Sequence, residues 1–311
     1  RSEDAGVVKE ASSSDGDGDC DAGELVAIKI FKRSLLRKHH RLGNERGALL
    51  AGDGLSQVQK EVAILKSVSH QNLVGLKEVI DDPDADSLYL VLEYIAGGPV
   101  MVVHDAATHS YRSPITGGAL PAPMAASFFS DILCGLEFLH KNLICHRDIK
   151  PDNVLVDSRG VAKLNDLGLA HYFEQESLRP AASVGSLMRS RSRAQLDNTQ
   201  GTWCFWAPEM CSEDQFNGLG ADMWAAGVCL WVMCFGTVPF WDELPTELFE
   251  KIEKGRLPFP IPSVLQQALP PLPSHERERR RQLRDLLERL LERDPLRRMT
   301  IEEACEHPWV E

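Results

Sequence analysis

The chain has 311 residues, 43% of them hydrophobic and 26% charged, an ordinary globular composition with enough apolar mass for a large core. That excludes collagen, coiled coil and a wholly disordered chain, and a length about twice the usual ~150 residues per domain fits one two-lobed domain or two smaller ones. The balance of 34 basic against 46 acidic residues gives a net charge of −12. This argues against a general nucleic-acid binder, since a phosphate backbone attracts the opposite sign.

The chain opens at Arg1 without a methionine, so residues upstream are expected, and no signal peptide is visible. Residues 10–23 are acidic and rich in Gly and Ser. Asp15, Asp17 and Asp19 imitate the start of an EF-hand loop, but Cys20 stands at its sixth position and Val26 at its twelfth, so a solvated loop is expected rather than a calcium site. Residues 24–32, 73–80 and 87–95 read as strands rich in branched residues. Between the first two, residues 33–54 hold a basic cluster (Arg33, Arg37, Lys38, Arg41), and the spacing of Val58, Val62 and Leu65 predicts a helix over 56–67. Ser56 and Gln59 make a plausible capping box for it.

Helical patterns dominate after Pro121, over 124–141, 223–235, 247–254 and 281–292. Residues 174–198, where serines alternate with arginines, resemble a regulatory loop. The 19 residues 223–241 carry no charge and approach the length of a membrane span, but Gly236, Thr237 and Pro239 break the run, which favours a buried core helix. In the Arg-rich stretch 276–293, Leu283, Leu286, Leu287, Leu290 and Leu291 recur at helical spacing, so an amphipathic helix explains it without nucleic acid. Eight cysteines, with no CxxC pair and no histidine at zinc spacing, point to free thiols in a reducing compartment, hence to the cytoplasm and, as a further place, the nucleus. A small sheet-rich part before a larger helical part predicts an α+β protein of two unequal lobes.

The strongest signal is His146-Arg147-Asp148-Ile149-Lys150-Pro151-Asp152-Asn153. Thirteen residues beyond Asn153 come Asp166-Leu167-Gly168, and later Ala207-Pro208-Glu209; upstream, Val26-Ala27-Ile28-Lys29 lies on a strand. Each piece alone arises by chance. In this order and on these elements, the set resembles the protein-kinase signature over nearly the whole chain. The resemblance implies a two-lobed kinase fold, with residues 1–95 as N-lobe (its first strand and part of the glycine-rich loop missing) and 96–311 as C-lobe. It also implies ATP and Mg2+ as cofactors and a protein as substrate.

Phosphoryl transfer asks a protein chiefly for positioning and charge stabilisation. By the resemblance, Lys29 holds the α- and β-phosphates, and Glu61 is its natural anionic partner. A solvated glutamate is the plain alternative, but Glu61 precedes Val62 and Leu65 on the core-facing edge of its helix. Asp148 would accept the substrate hydroxyl's proton, while Asn153 and Asp166 supply hard oxygen ligands for magnesium. Lys150 would contact the γ-phosphate and, with Thr202 seven residues before Glu209, implies serine/threonine specificity. Val8, Ala27 and Leu155 would sandwich the adenine, Leu92 stand at the back, and Glu93 and Ile95 offer hinge backbone groups. Leu65, Leu76, His146 and Leu167 match the hydrophobic column joining the lobes, although plain core predicts the same burial. Asp222 resembles the aspartate that ties its helix to the catalytic loop, and Glu209 and Arg298 a buried C-lobe ion pair. Arg147 beside the base suggests a seat for a phosphorylated loop residue, with Thr199 the leading acceptor and serines 183–192 as alternatives.

The run 78–83 (Glu-Val-Ile-Asp-Asp-Pro), then 88–94 and Gly98-Pro99-Val100-Met101, resembles the calcium/calmodulin-dependent protein kinase kinases and the plant kinases that activate energy-sensing kinases. An insertion before the Glu61 helix is a second similarity. This implies that the substrate is the activation-loop threonine of another kinase. There are departures: residues 33–54 contain no proline, Leu167 replaces the usual Phe, and no basic amphipathic tail follows Glu311 to support calmodulin. Gly6-Val7-Val8-Lys9 resembles the end of the glycine-rich loop, but Arg1 and Glu3 stand where its first glycines belong. A pseudokinase acting as a regulatory or scaffold module is therefore the alternative to an enzyme.

Overall fold

Branched and aromatic residues alternate along four early segments, and these pair into one antiparallel sheet. A computed structural model describes residues 4–8, 24–36, 54–172, 187–189, 203–212, 215–259 and 273–310. The acidic loop 10–23, most of the basic insertion and of the serine-rich loop 174–198, Thr199 and Thr202 lie outside the described residues. The sheet strands are β1 (Asp4–Val8), β2 (Val26–Lys32), β3 (Leu76–Asp81) and β4 (Ser87–Glu93), in the order β1-β2-β4-β3. The register sets Ala27 opposite Leu92 and Lys29 opposite Leu90. With side chains alternating between faces, Ala27, Lys29 and Leu92 share one face of the sheet.

All three predicted strands are trimmed, β2 beginning at Val26 rather than at 24. Leu73 and Val74 do not join β3; Leu73 forms a parallel bridge with Leu164, and Val74 N donates to Leu164 O at 2.9 Å. β4 ends at Glu93, where the chain leaves the sheet.

Helix α1 (Gly54–Ser67) buries Val58, Glu61, Ile64 and Leu65 along one stripe. Its start corrects the expected capping box, since Ser56 and Gln59 lie inside the helix. A Cβ on Gly54 would stand 3.1 Å from the Leu36 side chain, so tertiary packing on Leu36 carries the helix past Ser56.

The larger part is built on α2 (Ala122–Lys141), α3 (Pro208–Ser212), α4 (Gly218–Phe235), α5 (Pro245–Lys254), α6 (Ser274–Leu290) and α7 (Ile301–Cys305). Helix α4 begins five residues before the expected 223, because Asn217 caps it: its side-chain oxygen accepts from Leu219 N and Gly220 N. Gly236 ends it with φ +73°, the left-handed conformation that lets its N–H reach Val232 O. Both α2 and α4 are long and apolar enough to cross a membrane. Here their apolar side chains face the protein core, with Trp224, Trp231, Phe129 and Leu133 fully or almost fully buried. Helix α6 starts seven residues earlier than the leucine spacing suggested. Exposed Glu276–Arg280 and Glu278–Arg281 pairs support that polar first half, while Leu286, Leu287 and Leu290 are buried.

Between these helices run short strand pairs. β5 (Val102–Asp105) pairs with β6 (Ser110–Arg112), β7 (Ile144–Cys145) with β10 (His171–Tyr172), and β8 (Val154–Val156) with β9 (Ala162–Leu164). Burial pushes the thiol of Cys204 up to about 12. Such a thiol behaves as a small hydrophobe.

Candidate active site

The sheet's Ala27–Leu92 face and the β8–β9 hairpin enclose a slot of about 290 Å³. Its apolar walls include Ala27, Leu92, Ile95 and Leu155, and its polar end holds Lys29, Glu61 and Asp166. Of the expected adenine and hinge residues, Ala27, Leu92, Glu93, Ile95 and Leu155 line this one cavity. Gly6 and Val8 lie on β1 opposite Ile28 and Val26, on the neighbouring strand.

Three charges converge at the polar end. Lys29 Nζ is 3.0 Å from Glu61 Oε1 and 3.0 Å from Asp166 Oδ1. The Glu61 side chain is only 5% exposed, so the ion pair holds and the solvated-glutamate reading does not. Burial works against the charge on Asp166, yet Lys29 beside it and the Gly168 amide hold its carboxyl below the usual carboxylate range. Gly168 fits tightly: a Cβ there would lie 3.0 Å from Asp166 Oδ1, 3.3 Å from Glu61 Oε2 and 3.4 Å from Lys29 Nζ, so these side chains would have to give by a few tenths of an ångström. Asp166 has φ 62° and Arg147 φ 68°, left-handed values that non-glycine residues rarely adopt. Such strain, about 1–3 kcal/mol each, is typical of functional loops.

The loop 146–153 is suspended from α4. The buried Asp222 carboxylate accepts from His146 N at 2.7 Å, Arg147 N at 2.7 Å and His140 Nε2 at 3.0 Å. His146 in turn takes the Asp148 amide on Nδ1 (3.3 Å) and contacts Asn165 O through Nε2 (3.0 Å), tying this loop to the one carrying Asp166. Asp148 Oδ2 receives Lys150 Nζ at 2.7 Å and Asn153 Nδ2 at 2.9 Å. Its other oxygen, Oδ1, is buried and finds no hydrogen-bond partner among the described residues. A buried carboxylate oxygen without a donor is costly, so this one is suited to receive a donor from a bound molecule.

Leu65, Leu167 and His146 are buried and Leu76 half-buried, which plain core satisfies equally well. Glu209 and Arg298 form the expected pair, with two parallel contacts of 2.7 and 2.8 Å, both side chains nearly inaccessible. Two participants escaped sequence reasoning. Gln57 donates from Nε2 to Gly168 O at 2.7 Å; its one signal is a place a helical turn before Glu61. His171 lies near Arg147 and Lys60, with its pKa lowered by burial and then by those two cations.

The donors fit the expected cofactors. Asp166 and Asn153 offer hard oxygens of the kind magnesium takes, Lys29 is a cation at the phosphate end, and the apolar slot suits a flat ring. A sheet-rich lobe joined to a helical one, with these residues between them, is the protein kinase architecture.

Comparison with known proteins agrees. The protein kinase domain family matches residues 18–310. Serine/threonine-protein kinase GRIK2 of Arabidopsis thaliana is 35% identical over 290 residues, 93% of this chain and 59% of that protein. Serine/threonine-protein kinase ssp1 of Schizosaccharomyces pombe is 36% identical, over 92% of this chain and 38% of its own length. A calcium/calmodulin-dependent protein kinase kinase of Caenorhabditis elegans is 35% identical, over 92% and 48%. The chain therefore belongs to the protein kinase family, and spans between about a third and three-fifths of these relatives.

Proposed function

We propose that the chain transfers the γ-phosphate of ATP to serine or threonine hydroxyls of a protein, with the activation-loop threonine of another kinase as substrate. The observation that carries the transfer is Asp148 Oδ1, without a hydrogen-bond partner among the described residues, beside an oxygen fixed by Lys150 and Asn153. Such a carboxylate orients an incoming hydroxyl and receives its proton. Lys29, steadied by Glu61, neutralises charge at the α- and β-phosphates, and Lys150 does so at the γ-phosphate. Asp166 and Asn153 hold the magnesium ion, which when bound offsets phosphate charge. Glu93 and Ile95 present hinge backbone groups to the base, with Val8, Ala27 and Leu155 around it, and Gly6 lies on the strand that would cover the phosphates. The division of lobes at residue 95 belongs to this reading.

The choice of another kinase as substrate draws support from the 35% identity to a protein named a kinase kinase. The pseudokinase alternative draws none: Lys29, Glu61, Asp148, Asn153 and Asp166 are all present, with Lys29 in contact with Glu61 and Asp166 and Asn153 in contact with Asp148. Cysteines without a CxxC pair favour a reducing compartment, the cytoplasm. The test is transfer of radiolabelled phosphate onto a panel of inactive kinases and unrelated proteins. Label on threonines of one or more kinases is expected. No transfer to any protein would defeat the enzyme reading, and label on the unrelated proteins alone would defeat the choice of substrate.

The cations Arg147 and Lys60 near His171 support a regulatory role, in which phosphorylated Thr199 docks there and Thr202 sets its hydroxyl against Asp148. Phosphatase treatment should lower the activity of the native chain several-fold and leave Thr199→Ala unchanged. Equal loss in both would remove Thr199 from that role.

A further inference from the structure

Lys163 is a buried cation to which the transfer reaction assigns no task. It lies on β9, 6% exposed, with Nζ 3.0 Å from each carboxylate oxygen of Glu93. Glu93 is itself gripped twice by Gly75, since its N–H donates to Gly75 O at 2.8 Å and its Oε2 accepts from Gly75 N at 3.2 Å. The Lys163 side chain is 7% and the Glu93 side chain 34% exposed, and a partly exposed ion pair contributes little net stability, so this one needs another reason.

Its position supplies that reason. Glu93 is the last residue of β4, and Glu93, Tyr94 and Ile95 form the rim of the slot where a base would lie. Lys163 stands three residues before Asp166, on the strand that delivers Asp166 to the polar end of the same slot. The pair therefore clips the base end of the cleft to the strand that sets its phosphate end. Val74 N donates to Leu164 O and Leu164 N to Asn72 O (2.9 and 2.8 Å), which fixes β9 against the segment leading to Gly75. The ring Gly75–Glu93–Lys163–Leu164–Val74 is thus closed through both lobes.

We propose that Lys163 is a positioning residue for nucleotide, holding the hinge at a set distance from Asp166; the inference rests on the nucleotide reading given above. Asp148 is anchored separately, through Asp222, so loss of the clip acts on affinity and not on the transfer step.

The test compares the native chain with Lys163→Met, Lys163→Arg and the double variant Lys163→Met/Glu93→Leu. Magnesium-ATP binding is measured by calorimetry, kcat and KM by phosphate transfer, and Tm by thermal scan. Lys163→Met should weaken ATP binding about tenfold and raise KM alike, with kcat within about twofold. Lys163→Arg, which keeps the cation, should stay within about threefold of native. The double variant, relieved of the carboxylate that has lost its cation, should regain Tm while ATP binding stays at least about fivefold weak. Affinity returning together with Tm, or Lys163→Met binding ATP within about twofold of native, would overturn the proposal. A native chain that fails to bind ATP would instead bring down the nucleotide reading itself.

Discussion

Asp148→Asn should lower kcat by about 10²–10⁴-fold, the range for loss of a positioned general base. The asparagine would turn its carbonyl oxygen toward Lys150 Nζ and Asn153 Nδ2, the two donors now on Oδ2. Its NH2 then occupies the place of Oδ1, where it can donate to a substrate hydroxyl but cannot take a proton from it. Because the loop hangs from Asp222 rather than from Asp148, the Tm should stay near native, and so should the KM for ATP. Phosphate transfer within about threefold of native, in a protein of unchanged Tm, would refute Asp148 as the base.

The largest effect on stability is expected from Glu209→Ala. Arg298 keeps its carbonyl contacts to Gly220 at 2.8 Å and Glu292 at 2.8 Å, but loses both carboxylate oxygens while its side chain stays 1% exposed. Breaking a buried pair on one side costs about 3–5 kcal/mol. For a domain of this size that corresponds to a fall in Tm of about 5–8 °C. Adding Arg298→Met should recover part of the loss, because the unpaired charge is then gone. A thermal scan reads both variants, and a fall below about 2 °C for Glu209→Ala would show that the pair carries no such weight.

Much of this site is legible in the sequence because its chemistry is local. Residues 146–153 place base, lysine and amide within one short loop, and Asp166 follows at a short interval. Glu61 could be paired with Lys29 before any coordinates, since its helix must bury the edge on which it lies. Asp222 could be named from its place near the head of a charge-free helix. What escaped depends on partners far apart in the chain. Gln57 reaches Gly168 across 111 residues, and Lys163 reaches Glu93 across 70; neither carries a local periodic signal. Element ends failed for a related reason. Leu36 extends α1, Leu164 draws Leu73 and Val74 out of β3, and the Asn217 cap hides behind small residues that do not read as helical. At Thr199 and Thr202 only the sequence speaks, since they lie outside the described residues.

The suspension of the 146–153 loop has a consequence for turnover. Its two backbone donors meet a carboxylate rooted in the most deeply enclosed helix of the molecule. The left-handed kink at Arg147 is therefore set when the chain folds, before any ligand arrives. Each catalytic cycle then starts from dipoles already aligned, with no solvent-like rearrangement left for the moment of reaction.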